Sequence, residues 1–188
     1  MEKTSVKTEK YGIGRYVLLT LLLSFLGWLF EMALVFFMSG KWQDRGFLTM
    51  PFCPIYGCSI LIAYFLAGTP DEGRGLLKPV HNKAVRYLLY LGIAFLLPTL
   101  AELVVGVFFD KIFDVWLWDY SSLPMNYEGH VALPVSLAWT ALLFLFMKFL
   151  FLPLKRLVGK IPKTLANVLA LLFVLAVAAD MFVNFKNI

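Results

Sequence analysis

Charge is what this sequence has least of. Only 15% of its 188 residues are Asp, Glu, Lys or Arg, against about 25% in a typical soluble domain. With 61% apolar residues, the chain has too little polar surface to face water. That excludes a free-standing soluble domain and makes lipid its solvent. Cysteine and histidine are nearly absent, at two residues each. Cys53, Cys58, His81 and His130 show no zinc-type spacing, so no metal is expected. No G-x-S-x-G, Walker A loop or G-x-G-x-x-G is present. A nucleophile elbow, self-contained P-loop hydrolysis of ATP and a dinucleotide fold are therefore excluded, and no cofactor is expected. Gly73-Arg74-Gly75 reads as a turn and not as a phosphate cradle. The net charge of +5 and pI near 9.2 suggest nucleic acid at first sight. The basic residues lie between apolar runs, however, so membrane orientation explains them and no nucleic-acid partner is expected.

What the sequence has is long hydrophobic runs. A helix needs about 20 apolar residues to cross the hydrocarbon core. Five stretches qualify, 16–38, 47–68, 87–109, 131–152 and 164–185. They predict an all-α polytopic bundle: a cytoplasmic tail over 1–15, then a single transmembrane domain over 16–188. The second stretch is the weakest, because Pro51, Pro54 and Gly57 crowd its start. It is expected to begin as irregular chain, tolerated only under protein cover, and a four-span arrangement with this stretch re-entrant is the structural alternative. The first run is too long for a signal-peptide core and is read as a retained anchor.

Twelve cations fall on alternate segments: Lys3, Lys7, Lys10 and Arg15; Arg74, Lys78, Lys83 and Arg86; Lys155, Arg156, Lys160 and Lys163. The intervening segments hold four, Lys41, Arg45, Lys111 and Lys186. Positive residues stay in the cytoplasm, which puts the N-terminus inside and the C-terminus outside a multi-pass cell-membrane protein. The inner cations are topology determinants and contacts for anionic lipid, while Lys148 snorkels. Trp42, Trp116, Trp118, Tyr120 and Tyr127 then form an outer aromatic belt.

Three acids interrupt the spans: Glu31, Glu102 and Asp180. Each lies sixteen or seventeen residues beyond Arg15, Arg86 or Lys163, a common depth of roughly 25 Å from the inner surface. An ionised acid near mid-membrane costs about 2.5–3.5 kcal/mol on insertion scales. Ser24, Gly27 and Trp28 share the helix face of Glu31, a small and polar stripe that packs inward. Pro98 should kink the third span, and Ser136 and Thr140 share a face of the fourth. These positions predict an outward-facing polar site lined by Glu31, Glu102, Asp180, Ser136 and His130, which would hold a proton, a cation or a cationic substrate group. The plainer reading keeps the acids structural, partly hydrated at the outer interface or bonded to carbonyls. Asp180, near the end of its span, is the most open to that. A Cys53–Cys58 disulfide is one reading, outside the cell; on a helix the two would face different ways, and free buried thiols are the expectation.

The outer loop 110–129 is aromatic and acidic, with turn residues Pro124, Asn126 and Gly129. It is expected to fold back over the helix ends, with Trp118, Asp119, Tyr120 and Asn126 as a lid. The two hairpins also share an order: an acid, a Phe-Phe pair, an aromatic loop, then a proline early in the next span. That is the form of a parallel repeat.

The stretches Gly27-Trp28-Leu29-Phe30-Glu31, Arg45-Gly46-Phe47-Leu48 and Pro51-Phe52-Cys53-Pro54-Ile55-Tyr56-Gly57, followed by Glu102, Gly106, Trp118-Asp119-Tyr120-Ser121, Pro124, Asn126, Gly129, Ser136 and Trp139, resemble the bacterial ABC-transporter permease family of CmpB type. The pattern departs at His130, where Arg is expected, and at Thr140, where Gly is expected. The resemblance implies a multi-span transport component, and it carries over no catalytic residue. A transport component driven by ATP needs a separate ATPase subunit, docked on the basic inner loops; a homo-oligomer is the other assembly expected. Two further readings stand beside it. One is an accessory or regulatory membrane protein, whose acids and loop bind another subunit. The other is an intramembrane enzyme acting on a lipid or envelope precursor, with Glu31, Glu102 and His130 as acid–base groups.

Overall fold

The computed structural model describes residues 11–42 and 47–186. Lys3, Lys7, Lys10 and Arg45 of the cation pattern, and Gly46 of the family-like stretch, lie outside the described residues. Six α-helices are described: α1 (Ile13–Ser39), α2 (Pro54–Ala67), α3 (Lys83–Phe113), α4 (Leu133–Phe149), α5 (Phe151–Gly159) and α6 (Lys163–Lys186). A two-residue hairpin, β1 (Asn126–Tyr127) with β2 (Val131–Ala132), lies between α3 and α4. The protein is an all-helical membrane protein.

Helix boundaries follow local chemistry. Gly40, at φ 68°, ends α1 by donating to Phe36 O, a left-handed cap that glycine takes without strain. The Asn82 side chain caps α3 by accepting from the N–H groups of Ala84 and Val85. Pro98 sits inside α3, which remains one helix over 31 residues. The expected fourth span, 131–152, is α4 followed by α5, bent by 48°. Pro153 explains the break, since its ring clashes with the carbonyl of Phe149 and it has no N–H to donate. The inner loop expected after this span is largely α5.

Five crossings were expected; length and composition give three (α1, α3 and α6), or four with the bent α4–α5 pair. The shortfall is in the second segment. Here α2 has 14 residues, about 21 Å of helix against a core of about 30 Å. The missing length is irregular, bent chain over 47–53. Phe47 packs on Phe109 and Phe185 at 5.0 and 4.6 Å. The Met50 N–H donates to Asp180 Oδ2 at 3.0 Å and the Cys53 N–H to Ser24 O at 3.2 Å. Neighbouring helices thus supply the acceptors that lipid lacks, the condition under which irregular chain is tolerated at membrane depth. At its other end α2 sets Phe65 on Tyr16, and Tyr90 donates to Gly68 O. The segment therefore runs from the C-terminal ends of α3 and α6 to the N-terminal ends of α1 and α3, part irregular chain and part helix.

Close packing of α1 on α2 depends on two glycines. A Cβ on Gly57 would run into Ser24 Oγ and Thr20 O, and one on Gly27 into the Tyr56 ring. Small residues at such crossings let helices approach without a hydrophobic driving force. The apolar core, with Leu19, Leu23, Tyr90, Met147 and Phe151 fully or nearly fully buried, occupies the half of the bundle nearest the cations. Most of α6 is exposed, Leu171, Phe173 and Leu175 among it, as a lipid-facing helix requires.

Candidate functional site

In the other half of the bundle, polar groups replace the apolar core. Glu31, on α1, accepts a hydrogen bond from the Tyr56 hydroxyl of α2 at 2.5 Å. Glu102, on α3, accepts from the Trp139 indole of α4 at 2.8 Å and from the Tyr120 hydroxyl of the loop at 3.1 Å, all at Oε1. The Tyr56 and Trp139 rings meet edge to face at 5.5 Å, and Phe30 packs on Trp139 at 6.1 Å. Two carboxylates on different helices are thereby joined through two aromatic donors.

Glu102 is 7% exposed. Its second oxygen, Oε2, is buried and has no hydrogen-bond partner. A buried acceptor left unpaired costs about 1–3 kcal/mol, more if charged. That oxygen is where a proton or a small cation would gain most.

The expected site residues divide into three sets. Glu31 and Glu102 are linked through Tyr56 and Trp139. Ser136 is buried on the face of α4 that also carries Thr140, whose hydroxyl donates back to Ser136 O at 2.6 Å. His130 instead joins the loop. It is 2% exposed, stacks on Trp116 at 5.0 Å, and faces Asp110 with Nε2 at 3.4 Å from Oδ2. Gly106 leaves the space His130 occupies. Asp110 lies two turns of α3, about 12 Å, beyond Glu102, and the His130 ring packs over Gly106, one turn beyond Glu102. Asp180 belongs to a third set: it takes the Met50 N–H, while Asn184 donates to its Oδ1 at 3.2 Å and to Thr49 at 3.1 Å. It anchors the entry of the second segment. Among the described residues, no three His, Cys, Asp or Glu converge in metal-binding geometry.

The loop does fold back over the helix ends, stitched by its own side chains. Asn126 donates to Ser121 O and Leu123 O at 3.1 and 2.8 Å and accepts from the Gly129 N–H at 3.2 Å. Trp118 donates to His130 O at 2.8 Å. Asp119 accepts from the Ser121 N–H, which holds its carboxyl below the usual aspartate value. Of the four expected lid residues, Tyr120 is the one bonded to a membrane carboxylate; the other three shape the loop. Trp42 stacks on Phe36 at 4.5 Å, and with Trp116 and Tyr127 it stays exposed. Neither cysteine forms a disulfide; Cys53 is buried as expected, but Cys58 is exposed.

Tyr56 and Trp139 were not identified as site residues from sequence. The available signal was position: each follows a proline near the start of the span after an acid-bearing one. An aromatic with a polar tip, buried in a membrane bundle, usually finds a partner for that tip. A family model described as "Putative ABC-transporter type IV" matches residues 18–185, a range that takes in every residue of the Glu31–Glu102 site. No curated protein and no solved structure matches the chain.

Proposed function

The chain belongs to the family described as "Putative ABC-transporter type IV", and on that premise we propose that it is the membrane-embedded component of a transporter, with Glu31, Tyr56, Glu102, Trp139 and Tyr120 as its polar site. The observation that carries this reading is the unpartnered Oε2 of Glu102. A proton or small cation seated there would satisfy Oε2 while Trp139 and Tyr120 hold Oε1. Glu31, steadied by Tyr56, is the second carboxylate acting on the same charge. Tyr120 ties the outer loop to Glu102, so the loop closes over this carboxylate. Intramembrane acids are functional more often than not, given their cost.

The cation pattern supports an N-terminus in the cytoplasm of a multi-pass cell-membrane protein, with the site toward the outside. The chain has no P-loop, so an ATP-driven cycle needs a separate ATPase subunit at the basic end. Tagged purification in mild detergent tests this. A stoichiometric ATPase whose hydrolysis falls in Glu102→Gln supports the proposal. Reproducible absence of any ATPase overturns the ABC part, and unchanged hydrolysis in both Glu31→Gln and Glu102→Gln overturns the site.

An accessory role is the second reading. It is favoured by the loop tip, where Trp116, Met125 and Tyr127 are exposed by 50%, 77% and 58%. That is an apolar, rigidly held surface of the kind a neighbouring subunit covers.

A further inference from the structure

We propose that the basic end of the bundle carries a pocket for the phosphate of an anionic phospholipid, built from Lys155 and Arg156 of α5, Lys160 at its C-cap, and Tyr11. A cavity of about 460 Å³ lies there, lined by these four residues with Glu72, Leu152 and Gly159. Its charge is unbalanced. Three cations face one carboxylate, and Glu72 already accepts from the Thr69 N–H at 3.1 Å. Among the described residues, Lys155, Arg156 and Lys160 form no ion pair with a carboxylate.

Lys155 is held in place without being neutralised. Its ammonium donates to the Tyr64 hydroxyl, which also takes a hydrogen bond from Arg74. It lies 5.2 and 4.3 Å from the Tyr11 and Tyr64 ring centres. Two cations thus converge on one uncharged oxygen, an arrangement that rings stabilise but that leaves the field positive. Tyr11 donates to Lys155 O at 3.2 Å, which fixes its ring beside the Lys155 ammonium as a wall of the pocket.

Surroundings point to a lipid as the source of the phosphate. α5 is bent 48° away from α4. Around the break and along α5, Phe149, Leu150 and Leu157 are exposed by 60%, 53% and 56% beside Arg156. Apolar side chains exposed among cations mark a segment lying at the lipid–water boundary. Leu152 gives the pocket an apolar wall next to its charges, which suits a headgroup with acyl chains attached.

The test uses the full chain, delipidated in zwitterionic detergent and titrated with phosphatidylglycerol, phosphatidylcholine or inorganic phosphate, with bound lipid read by native mass spectrometry. Phosphatidylglycerol should bind in preference to phosphatidylcholine. Arg156→Gln should lower its affinity about five-fold, and Arg156→Gln with Lys160→Gln about thirty-fold. Lys78→Gln, an exposed cation outside the pocket lining, should change it by less than about two-fold. Equal binding of the two lipids overturns the proposal, as does an equal loss in Lys78→Gln, which would mean only a general surface field. Inorganic phosphate binding as tightly as the lipid assigns the pocket to free phosphate and overturns the lipid. Unchanged lipid binding in the double variant, with loss of a co-purifying soluble protein, assigns the cations to a protein partner instead. If the variants fail to fold, the lipid preference of the unaltered chain still decides.

Discussion

Trp139→Phe combined with Glu102→Ala measures how the two sides of the polar site hold each other. Trp139 supplies one donor to Glu102 Oε1, at 2.8 Å, and Tyr120 supplies another at 3.1 Å. Trp139→Phe removes the N–H but also trims ring contacts with Phe30 and Tyr56, so its raw cost mixes packing with bonding. Glu102→Ala removes the acceptor but empties a buried space. The coupling between the two, from a double-mutant cycle, isolates the bond. A hydrogen bond to a neutral group is worth about 0.5–1.5 kcal/mol and one to a charged group about 1.5–3 kcal/mol. In membrane bundles, measured couplings average about 0.6 kcal/mol and reach about 1.7 kcal/mol. With Oε2 lacking any donor, the empty site is best served by a carboxylic acid, and the expected coupling is about 0.5–1.5 kcal/mol. Reversible unfolding in mixed micelles, followed by circular dichroism because Trp139 itself is being removed, gives the number. A value above about 1.7 kcal/mol means a bare carboxylate. A value under about 0.3 kcal/mol is below the range of any formed bond and sinks the account of this site.

Four further outcomes follow from the geometry. Tyr56→Phe deletes only the hydroxyl that bonds Glu31 and should cost about 1 kcal/mol in the same unfolding assay; no change would mean that bond contributes nothing. Gly57→Ala places a methyl group against Ser24 Oγ and Thr20 O and should cost about 1–3 kcal/mol, whereas a stabilised variant would contradict the close α1–α2 approach. Asp180→Ala releases the Met50 N–H, so hydrogen exchange should quicken over 47–53 and remain slow in α3; uniform exchange would deny Asp180 its anchoring role. Asp119 has a folded value lower than its ordinary 3.8, so its contribution is complete above that ordinary value and is lost as pH falls through the lower folded one. Exchange at Ser121 should therefore rise only in acid below about pH 4, and a rise near neutral pH would exclude this cause.

Much of the architecture was legible because lipid imposes a simple code: length, apolarity and sidedness of cations mark α1, α3, α4 and α6. The irregular start of the second segment was legible from Pro51, Pro54 and Gly57, since these residues resist a helix entrance. What the code does not carry is which side chain on one helix meets which on another. Glu31 and Glu102 were visible as expensive acids, but Tyr56 and Trp139 looked like ordinary aromatics because their polar tips matter only after packing. Asp180 shares the depth of the other acids and was grouped with them. Depth along a span says nothing about azimuth around the bundle, and its partner proved to be a backbone N–H 130 residues earlier in the chain. The contacts of His130 with Trp116 and Asp110 were not legible for a related reason: the loop that carries it folds back on itself, and no periodicity records that.

The anchoring of Met50 by Asp180 has a consequence for how the protein is made. The entry of the second segment leaves the ribosome early, while the carboxylate that receives its N–H lies on the last helix. Until α6 has been synthesised and inserted, the irregular stretch 47–53 lacks that acceptor, and α2, at 14 residues, is too short to span on its own. Biogenesis therefore cannot run strictly in chain order. The second segment must wait in a provisional place, beside the translocation machinery or at the membrane surface, and reaches its final depth only when the C-terminal helix arrives. A chain truncated before α6 would be caught in that waiting state, with its second segment open to cellular proteases.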